Sequence, residues 1–491
     1  MKKKAKQGKT TSETNEAIFS KKNLLWLSLF LVFCFALFSP SLDNEFVNWD
    51  DDWMVYENPD VVNFSIARLP AIFSEFYKGQ YSPVCTMSLG MQYAIGGGQP
   101  LSFHVFGILY HLLNIVLVFW LIKLLFKKNR IAFIVAILFG VHSLQVESVV
   151  WISAQKVTLY TIFFLASCIA YIKYVNGKKL LNYLLAIFFF IVSFLAKEQA
   201  VTLAVSLIAI DFILKRNLLD KKVILEKLPF LILAGIMGIV TIYSSRTGEF
   251  FTDDNKNPFH EQIAYSAYAF IQYLLQMIFP FKMSAFHPYP TGSMKEFSNV
   301  LWLYLVPVIL IIYAFFKSIK KNPVITFGIL FFLMNIALVL QLMPLRDFIT
   351  ADRYVYIPAI GFFLIIAWYA DKIINKNKKY STAVIAVISV YTLLLSFVSY
   401  QRSNIWQNSL ALFTDVSEKY PESSIGWNNR GLALSNLDRN KDAIEDYKKA
   451  IKYNPQSVFC YNNIGISYSK TGNYQNAFKS FDAAITMRPD F

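Results

Sequence analysis

Charged residues are scarce in this chain of 491 residues. Asp, Glu, Lys and Arg make up 16% of the sequence, whereas a soluble domain usually carries roughly 25%. The hydrophobic fraction is 55%, and many apolar runs approach the length of about 20 residues that spans a bilayer as a helix. The shortage of charge therefore excludes an ordinary soluble domain and predicts a protein that crosses a membrane several times.

Several local signatures are missing as well. The four cysteines are scattered, with neither the spacing of metal ligands nor that of a disulfide framework. A glycine-rich loop for a soluble nucleotide is not evident, and Gly96–Gly98 is interpreted as a flexible hinge. The net charge of +15 comes from Lys and Arg residues concentrated in short loops between apolar runs. Such loops orient a membrane protein, so the charge does not predict a nucleic-acid partner.

The apolar runs predict an all-α, polytopic membrane domain over residues 24–400. From apolar length, spanning segments are predicted at residues 24–42, 103–126, 131–147, 157–175, 180–196, 200–214, 229–245, 301–316, 324–343, 354–370 and 381–398.

The further apolar segment at 263–281 decides the count of crossings. If it crossed fully, Lys317, Lys320 and Lys321 would lie outside, although basic loops tend to stay in the cytoplasm. Treating 263–281 as a re-entrant or interfacial helix keeps every basic loop inside. We therefore expect about eleven spanning helices, with about twelve as the alternative.

Charge also orients the domain. Residues 1–23 are basic and predict a cytoplasmic N-terminus, followed by an uncleaved anchor because the apolar run is long and lacks a small-residue cleavage site. The first long loop, 43–100, holds eight acidic and two basic residues, so we expect it outside. The composition suits a bacterial inner membrane with this loop on the periplasmic side, and it is also compatible with endoplasmic reticulum.

After Ser399 the apolar runs stop and a 34-residue period begins. Its matched pairs are Trp427 and Tyr461, Gly431 and Gly465, Ala443 and Ala477, Tyr447 and Phe481, Ala450 and Ala484, and Pro455 and Pro489. This pattern predicts a tetratricopeptide-repeat α-solenoid over residues 401–491, with a half-repeat at 406–421 and repeats at 424–457 and 458–491.

Two and a half repeats are few for a stable solenoid, so the array either rests on the membrane domain or belongs to a longer chain. Repeat arrays bind partners on a concave surface. Asn428, Asn429, Asn462 and Asn463 fall in the first helix of each repeat, where they either line that surface for a protein or peptide acceptor or are merely solvated.

Three consecutive carboxylates, Asp50, Asp51 and Asp52, follow the first apolar segment. Adjacent negative charges repel, so at least one pKa should be raised unless a cation or donor compensates. Such a group can accept a proton or bind a metal, and the alternative is a solvated acidic loop. The sequence leaves open whether Mg²⁺, Mn²⁺ or no metal is used.

Other ionisable residues fall at membrane boundaries, where they are expensive and therefore candidates for function. They are His111, His142, Glu147, Lys197, Glu198, Asp352 and Arg353. All but His111 are predicted to open on the same outer face as the acidic loop. Lys and Arg there can grip a phosphate, whereas Asp352 and Arg353 can also simply pair with each other. The combination suits group transfer from a phosphate carrier anchored in the membrane.

The ordered set of motifs resembles the transmembrane and tetratricopeptide-repeat O-mannosyltransferase family and its bacterial relatives, which are GT-C glycosyltransferases. The motifs are Phe46–Asn58, Tyr81–Val84, His111–Asn114, His142 with Glu147, Lys197–Glu198 and Ala351–Pro358, followed by the repeats.

The resemblance implies that a sugar passes from a polyprenyl-phosphate donor to a hydroxyl, such as that of a protein Ser or Thr, on the outer side. It assigns catalysis to Asp50 and Asp51, with Asp52 as an extra acid. Lys197, Arg353 and His142 would neutralise the departing lipid phosphate. Ser82 stands where relatives are expected to carry Arg.

Two other classes of protein remain open. The main rival to a membrane glycosyltransferase is a non-catalytic scaffold whose repeats recruit envelope-assembly partners. A transporter of lipid-linked precursors is the second, but its polar residues should lie near mid-membrane at helix breaks.

Overall fold

The computed structural model describes residues 20–247, 258–289, 298–340, 342 and 348–490, and these residues are largely helical. Residues 1–19 of the predicted basic N-terminal segment lie outside the described residues. The expected all-α class with C-terminal repeats is confirmed.

The helices before the repeats include one in each predicted apolar segment and further short helices between them. They are α1 (Lys21–Phe38), α2 (Pro59–Val62), α3 (Leu69–Ser74), α4 (Pro83–Gly96), α5 (Pro100–Phe126), α6 (Asn129–Val141), α7 (Val146–Val150), α8 (Gln155–Gly177), α9 (Leu180–Ala196), α10 (Thr202–Ile213), α11 (Lys221–Leu225), α12 (Leu228–Arg246), α13 (Phe259–Ile278), α14 (Ser298–Leu301), α15 (Leu305–Lys321), α16 (Pro323–Ile336), α17 (Pro358–Lys376) and α18 (Lys378–Ile405).

Among the described residues, seven helices are long and apolar enough to cross a membrane, or eight if one bent pair counts as a single span. The apolar helices at Leu180–Ala196 and Pro323–Val339 are shorter. The chain is thus an integral membrane protein, while the expected number of crossings stays a prediction. The helix α13, predicted to be re-entrant or interfacial, is not among the candidate spans.

The bent pair consists of α6 and the segment Ser143–Val150, which meet at an angle of 56°. The bend has a local cause, because His142 adopts an extended backbone and its Nδ1 accepts a hydrogen bond from the Leu144 amide at 3.3 Å. His142 therefore acts as an N-cap for the new turn. The bend turns α7, which carries Glu147, away from the axis of α6.

A short antiparallel pair of strands lies near this bend. The strand β1 (His287–Pro288) pairs with β2 (Phe348–Thr350), and the 3-10 turn Asp352–Val355 follows. Tyr273 on α13 accepts a hydrogen bond from the Ala351 amide at 3.0 Å, which fixes this pair to α13. The strands thereby bring two segments that are far apart in sequence to the start of α17.

The repeats form α19 (Ser409–Lys419), α20 (Ser424–Asn436), α21 (Asn440–Tyr453), α22 (Val458–Lys470) and α23 (Tyr474–Met487). The glycines of the 34-residue period have a clear function in packing. A methyl group added at Gly431 would lie 2.8 Å from the Tyr447 ring, and one at Gly465 would lie 2.7 Å from the Phe481 ring. Each repeat therefore needs a glycine opposite its aromatic side chain.

Candidate active site

Asp51 ties the acidic loop to the start of α8. Its carboxylate is almost fully buried and accepts hydrogen bonds from the Val47 amide at 3.0 Å, the Ser153 amide at 3.0 Å and Ser153 Oγ at 2.5 Å. Burial raises the pKa of this carboxyl to about 7, although the three donors favour the charged form. Asp51 therefore holds the loop in place through bonds that engage both of its oxygens.

The expected rise in a carboxyl pKa is thus confirmed, but the expected reason is secondary. Repulsion between adjacent carboxylates was the argument from sequence, whereas removal of Asp51 from solvent is the largest cause. The charge of Asp50 raises the pKa only to a smaller extent. The sequence places the charges next to each other, and the fold decides which of them is buried.

Asp50 has a different environment from its neighbour. It is half-buried, its backbone has a φ of 153°, and Trp53 Nε1 donates a hydrogen bond to its Oδ1 at 3.1 Å. Few L-residues adopt this backbone region, and such conformations concentrate at functional sites. A π-helical turn follows at Asp52–Tyr56, in which Asp52 Oδ1 accepts from the Trp53 amide at 2.8 Å.

Two cationic side chains interact electrostatically with Asp50. They are Lys156 on the first turn of α8 and Arg353 in the turn after β2. Lys156 Nζ donates to Gln80 Oε1 at 3.2 Å and has no carboxylate oxygen within 4 Å in the described part of the chain. Lys156 is the functional candidate that the sequence argument missed. The available signal was a lysine at the start of a spanning segment, where a charge is expensive.

Glu147 and Arg353 form a buried ion pair. The Arg353 guanidinium donates to Glu147 Oε1 at 2.5 Å, and the Arg353 amide donates to Oε2 at 2.9 Å. The guanidinium also lies 5.3 Å from the Trp151 ring centre and 5.1 Å from that of Tyr354. The sequence left open whether Arg353 pairs with Asp352. In the structure Arg353 pairs with Glu147 on α7 instead.

Asp352 instead belongs to a chain of hydrogen bonds that the sequence did not predict. His287 Nε2 donates to Asp352 Oδ1 at 3.1 Å, and its Nδ1 accepts from the Tyr420 hydroxyl at 2.8 Å. Asp352 and His287 are both buried. This chain of hydrogen bonds connects the strand pair with the end of α19. An isolated histidine carries no local pattern, so nothing in the sequence signalled this contact.

The histidines singled out from the sequence have structural partners. His111 Nε2 donates to the Gly140 carbonyl at 3.0 Å, while its Nδ1 accepts from the Tyr356 hydroxyl at 2.6 Å. His142 Nε2 donates to the Met277 carbonyl at 3.1 Å, and its Nδ1 caps the following turn. Because both rings are buried with both nitrogens engaged, they fix helices rather than face the acidic loop.

Lys197 and Glu198 lie at the same end of the helices as the acidic loop. The Lys197 ammonium lies 3.7 Å from a Glu198 carboxylate oxygen, with Lys197 buried and Glu198 half-exposed. Both residues interact electrostatically with Lys156. Electrostatic interactions therefore connect Asp50 with Lys156 and Arg353, and Lys156 with the Lys197–Glu198 pair.

The three acidic residues do not form a metal site. Among the described residues, no group of three or more His, Cys, Asp or Glu side chains is arranged to hold a metal ion. Both oxygens of Asp51 accept from protein donors, and Asp52 bonds to its own turn. The arrangement of these carboxylates therefore does not fit Mg²⁺ or Mn²⁺.

The acidic loop is held against the repeats. The Asn48 amide donates to Ser409 Oγ at 2.9 Å, and Asn48 Nδ2 donates to the Asn429 carbonyl at 3.1 Å. The ring centres of Trp49 and Phe413 lie 5.6 Å apart. The residues immediately before Asp50 thus contact the half-repeat and the first full repeat.

Comparisons with known proteins found matches to the repeats and to most of the length of the chain. Tetratricopeptide-repeat models match residues 424–457 and 446–479. A protein O-mannosyl-transferase of Caenorhabditis elegans is 26% identical over 439 residues, covering 84% of this chain and 60% of the relative. One of Homo sapiens is 23% identical over 480 residues, covering 85% of this chain and 54% of the relative.

A third relative, a protein O-mannosyl-transferase of Xenopus laevis, is 34% identical over 156 residues, which are 30% of this chain and 19% of the relative. The resemblance seen in the motifs is therefore confirmed. The chain spans 60% and 54% of the length of the two relatives that it matches over most of its own length.

Proposed function

Because this chain is similar to protein O-mannosyl-transferases along most of its length, we propose that it is an integral membrane glycosyltransferase. It moves a sugar from a polyprenyl-phosphate donor to a hydroxyl of a protein Ser or Thr. The observation that carries this assignment is Asp50, a carboxylate on strained backbone that interacts with the cations Lys156 and Arg353.

The arrangement suits a single displacement at the anomeric carbon. Asp50 takes the proton of the acceptor hydroxyl as its oxygen attacks that carbon, and the bond between the carbon and the phosphate oxygen breaks. The electron pair of that bond leaves with polyprenyl phosphate. Attack opposite the leaving group inverts the configuration of the sugar carbon. No covalent sugar–enzyme intermediate is needed.

The leaving phosphate requires positive charge close to Asp50. Lys156 is the best candidate because it lacks a carboxylate partner within 4 Å in the described part of the chain. Lys197 supports it from the neighbouring segment. Arg353 is already bonded to Glu147, so it holds α7 and the Asp352–Val355 turn together. Its positive charge also stabilises the negative charge of Asp50.

The proposed orientation places Asp50 and the repeats on the outer, periplasmic side of a bacterial inner membrane. The opposite helix ends carry the basic loops, where Asp371 on α17 pairs with Lys128 and Arg130 at 2.9 and 3.0 Å. Segregation of Lys and Arg to one side is the usual mark of the cytoplasmic face.

The test is sugar transfer in membranes that contain the full chain and labelled polyprenyl-phosphate sugars. Asp50→Asn should lower transfer by about 100-fold or more, as expected for loss of a general base. The matched control is Asp52→Asn, because Asp52 carries the same charge two residues away and should retain most activity. Equal expression is checked with a tag.

The proposal would be rejected if Asp50→Asn transferred sugar as fast as the unmodified chain. It would also be rejected if the unmodified chain transferred no sugar from any of a panel of donors. The no-transfer result would favour the scaffold, which the matched repeat models also suit. A scaffold should retain partner capture in Asp50→Asn.

A further inference from the structure

A cavity of about 590 Å³ opens at the helix ends opposite the acidic loop. Its walls include Tyr174 on α8, Leu180 and Tyr183 on α9, and Lys221, Lys222 and Leu225 on α11. We propose that this cavity binds the phosphate-bearing headgroup of an anionic phospholipid from the bilayer leaflet beside it. This is a second site, and it does not rest on the proposed function.

The cavity is far from the candidate active site. Lys156 lies on the first turn of α8, whereas Tyr174 lies 18 residues later, near the end of the same helix. That length of helix rises about 27 Å, close to the hydrocarbon thickness of a bilayer, about 30 Å. The cavity therefore lies at the other end of a candidate spanning helix and is separate from Asp50.

Buried ion pairs form the base of the cavity. Asp211 on α10 is fully buried and accepts hydrogen bonds from the Tyr171 hydroxyl at 3.0 Å and from Arg216 Nη1 at 3.0 Å. Arg216 Nη2 lies 2.6 Å from Glu226 Oε2, and Lys227 also pairs with Asp211. These bonds tie the base of the cavity to the ends of α8 and α10 and to the start of α12.

Positive charge lies at the rim of the cavity. Lys221 and Lys222 are exposed, and in the described part of the chain their ammonium groups have no carboxylate oxygen within 4 Å. Of the two acids in the lining, Glu226 is neutralised by Arg216. Asp220 Oδ1 accepts a hydrogen bond from the Lys222 amide at 2.8 Å. Two ammonium groups therefore stand against one carboxylate, and the rim is complementary to phosphate.

Apolar side chains beside the lysines indicate that the ligand also carries acyl chains. Leu180 is 65% exposed, Leu219 is 87% exposed and Ile224 is 52% exposed. Within the cavity wall, the ring centres of Tyr174 and Tyr183 lie 4.9 Å apart. Amphipathic tyrosine rings are typical of the headgroup level of a bilayer. A charged head at the lysines and chains over the leucines would cover both kinds of surface.

An anionic phospholipid fits this surface better than other sources of phosphate. Free phosphate would leave the leucines uncovered. A zwitterionic headgroup carries a cation next to its phosphate, which the two lysines would repel. Each lysine near an anionic lipid surface strengthens binding about fivefold. The pair should therefore contribute roughly thirtyfold.

The test measures lipid binding by the full chain in an uncharged detergent, with native mass spectrometry counting the lipids bound to each chain. The probe is phosphatidylglycerol. Lys221→Gln together with Lys222→Gln should weaken the first binding event roughly thirtyfold. The matched control is Lys320→Gln together with Lys321→Gln, an adjacent exposed pair at the end of α15. This control should bind phosphatidylglycerol as the unmodified chain does.

Two further probes distinguish the sources of phosphate. Phosphatidylcholine with the same acyl chains should bind the unmodified chain about tenfold more weakly, because its choline opposes the lysines. Glycerol phosphate, which has the head but no chains, should not displace phosphatidylglycerol at equal concentration. Displacement by glycerol phosphate would indicate a free-phosphate site and would overturn the inference, as would equal affinity for the two lipids.

A crosslinking measurement locates the lipid. Phosphatidylglycerol with a photoactivatable group near its head should label peptides that contain residues 174–183 or 219–228. Labelling confined to other peptides would overturn the inference, and so would full affinity of the Lys221 and Lys222 variant. An equal loss in the control pair would show general attraction to basic helix ends, which also rejects a site at the cavity. Because no sugar is involved, absence of transfer would reject only the enzyme.

Discussion

At the scale of single residues, two adjacent carboxylates have different environments. Asp51 is enclosed and bonded by the Ser153 backbone and hydroxyl, while Asp50 is half-buried and interacts electrostatically with Lys156 and Arg353. Environment sets the chemistry of a carboxyl group more than its type does. Under the proposed function, Asp50 touches the substrate and Asp51 positions it.

The first residue-scale prediction concerns the pH dependence of stability. Asp51 in the folded protein has a pKa of about 7 because it is buried, whereas an unfolded Asp has a pKa of about 3.9. Between these values the unfolded chain loses a proton that the folded protein keeps, so stability falls as pH rises through this window. The total is on the order of 4 kcal/mol.

Asp51→Asn removes this titration. The melting temperature of the unmodified chain, relative to that of Asp51→Asn, should decline from pH 4 to pH 7 and then level off. Asp52→Asn provides the comparison, since it should leave the decline intact. A difference between the two chains that does not change with pH would show that Asp51 does not titrate as its burial requires.

The second residue-scale prediction concerns Lys156. Lys156→Gln should raise the KM for the polyprenyl-phosphate donor about tenfold to hundredfold, because one charge-assisted bond to phosphate is lost. Lys156→Arg should recover part of the affinity. Steady-state kinetics with the donor varied at a fixed acceptor concentration measures both. Lys173→Gln, toward the other end of α8, should leave this KM unchanged, and an unchanged KM in Lys156→Gln would remove the proposed contact.

At the scale of elements, a buried ion pair fastens α7 to the turn after β2. Glu147→Gln would leave the Arg353 guanidinium buried without its carboxylate, and breaking such a pair costs about 3–5 kcal/mol. We expect a clear drop in melting temperature. Glu198→Gln, which changes a half-exposed glutamate, should have a smaller effect. Equal melting temperatures for the two variants would contradict a locking role for the pair.

The elements themselves were largely predictable because apolar length and period are local properties. The helix α5, for example, covers the apolar run expected at 103–126 with only a few added residues. The bend at His142 was not expected, since the segment at 131–147 reads as one continuous run. A capping bond to Leu144 and a bond to Met277 on α13 stabilise the break, and the second of these bonds depends on the tertiary fold.

At the scale of the whole molecule, the repeats and the membrane domain meet at the acidic loop. Contacts of Asn48 with Ser409 and of Trp49 with Phe413 bridge more than 360 positions of sequence. The expectation that a short array rests on the membrane domain agrees with these contacts.

The prediction at this scale is that Ser409→Ala loosens the loop. Loss of the bond to the Asn48 amide should speed its hydrogen exchange about fivefold, as expected for a bond worth about 1 kcal/mol. Ser424→Ala, a serine of the repeats outside this contact, serves as the control. Mass-spectrometric exchange on peptides that cover residues 44–53 measures both. Unchanged exchange in Ser409→Ala would mean that the repeats do not hold the loop.

The sequence alone determined the membrane class, the long apolar helices, the repeats and the acidic loop. These follow from composition, apolar length, charge between segments and a fixed period, all of which act over short stretches of chain. It also named Glu147, Lys197 and Arg353 as candidates, because charge at a membrane boundary is costly wherever the chain folds.

Only the tertiary structure decided which partner each charge has. Asp51 bonds Ser153 of a distant segment, Arg353 pairs with Glu147, and His287 links Asp352 to Tyr420 at the end of α19. Burial and partner choice depend on which segments meet in space, and spacing along the chain does not contain that information. The physical reason is that pKa and pairing respond to distances of a few ångströms, which the fold sets.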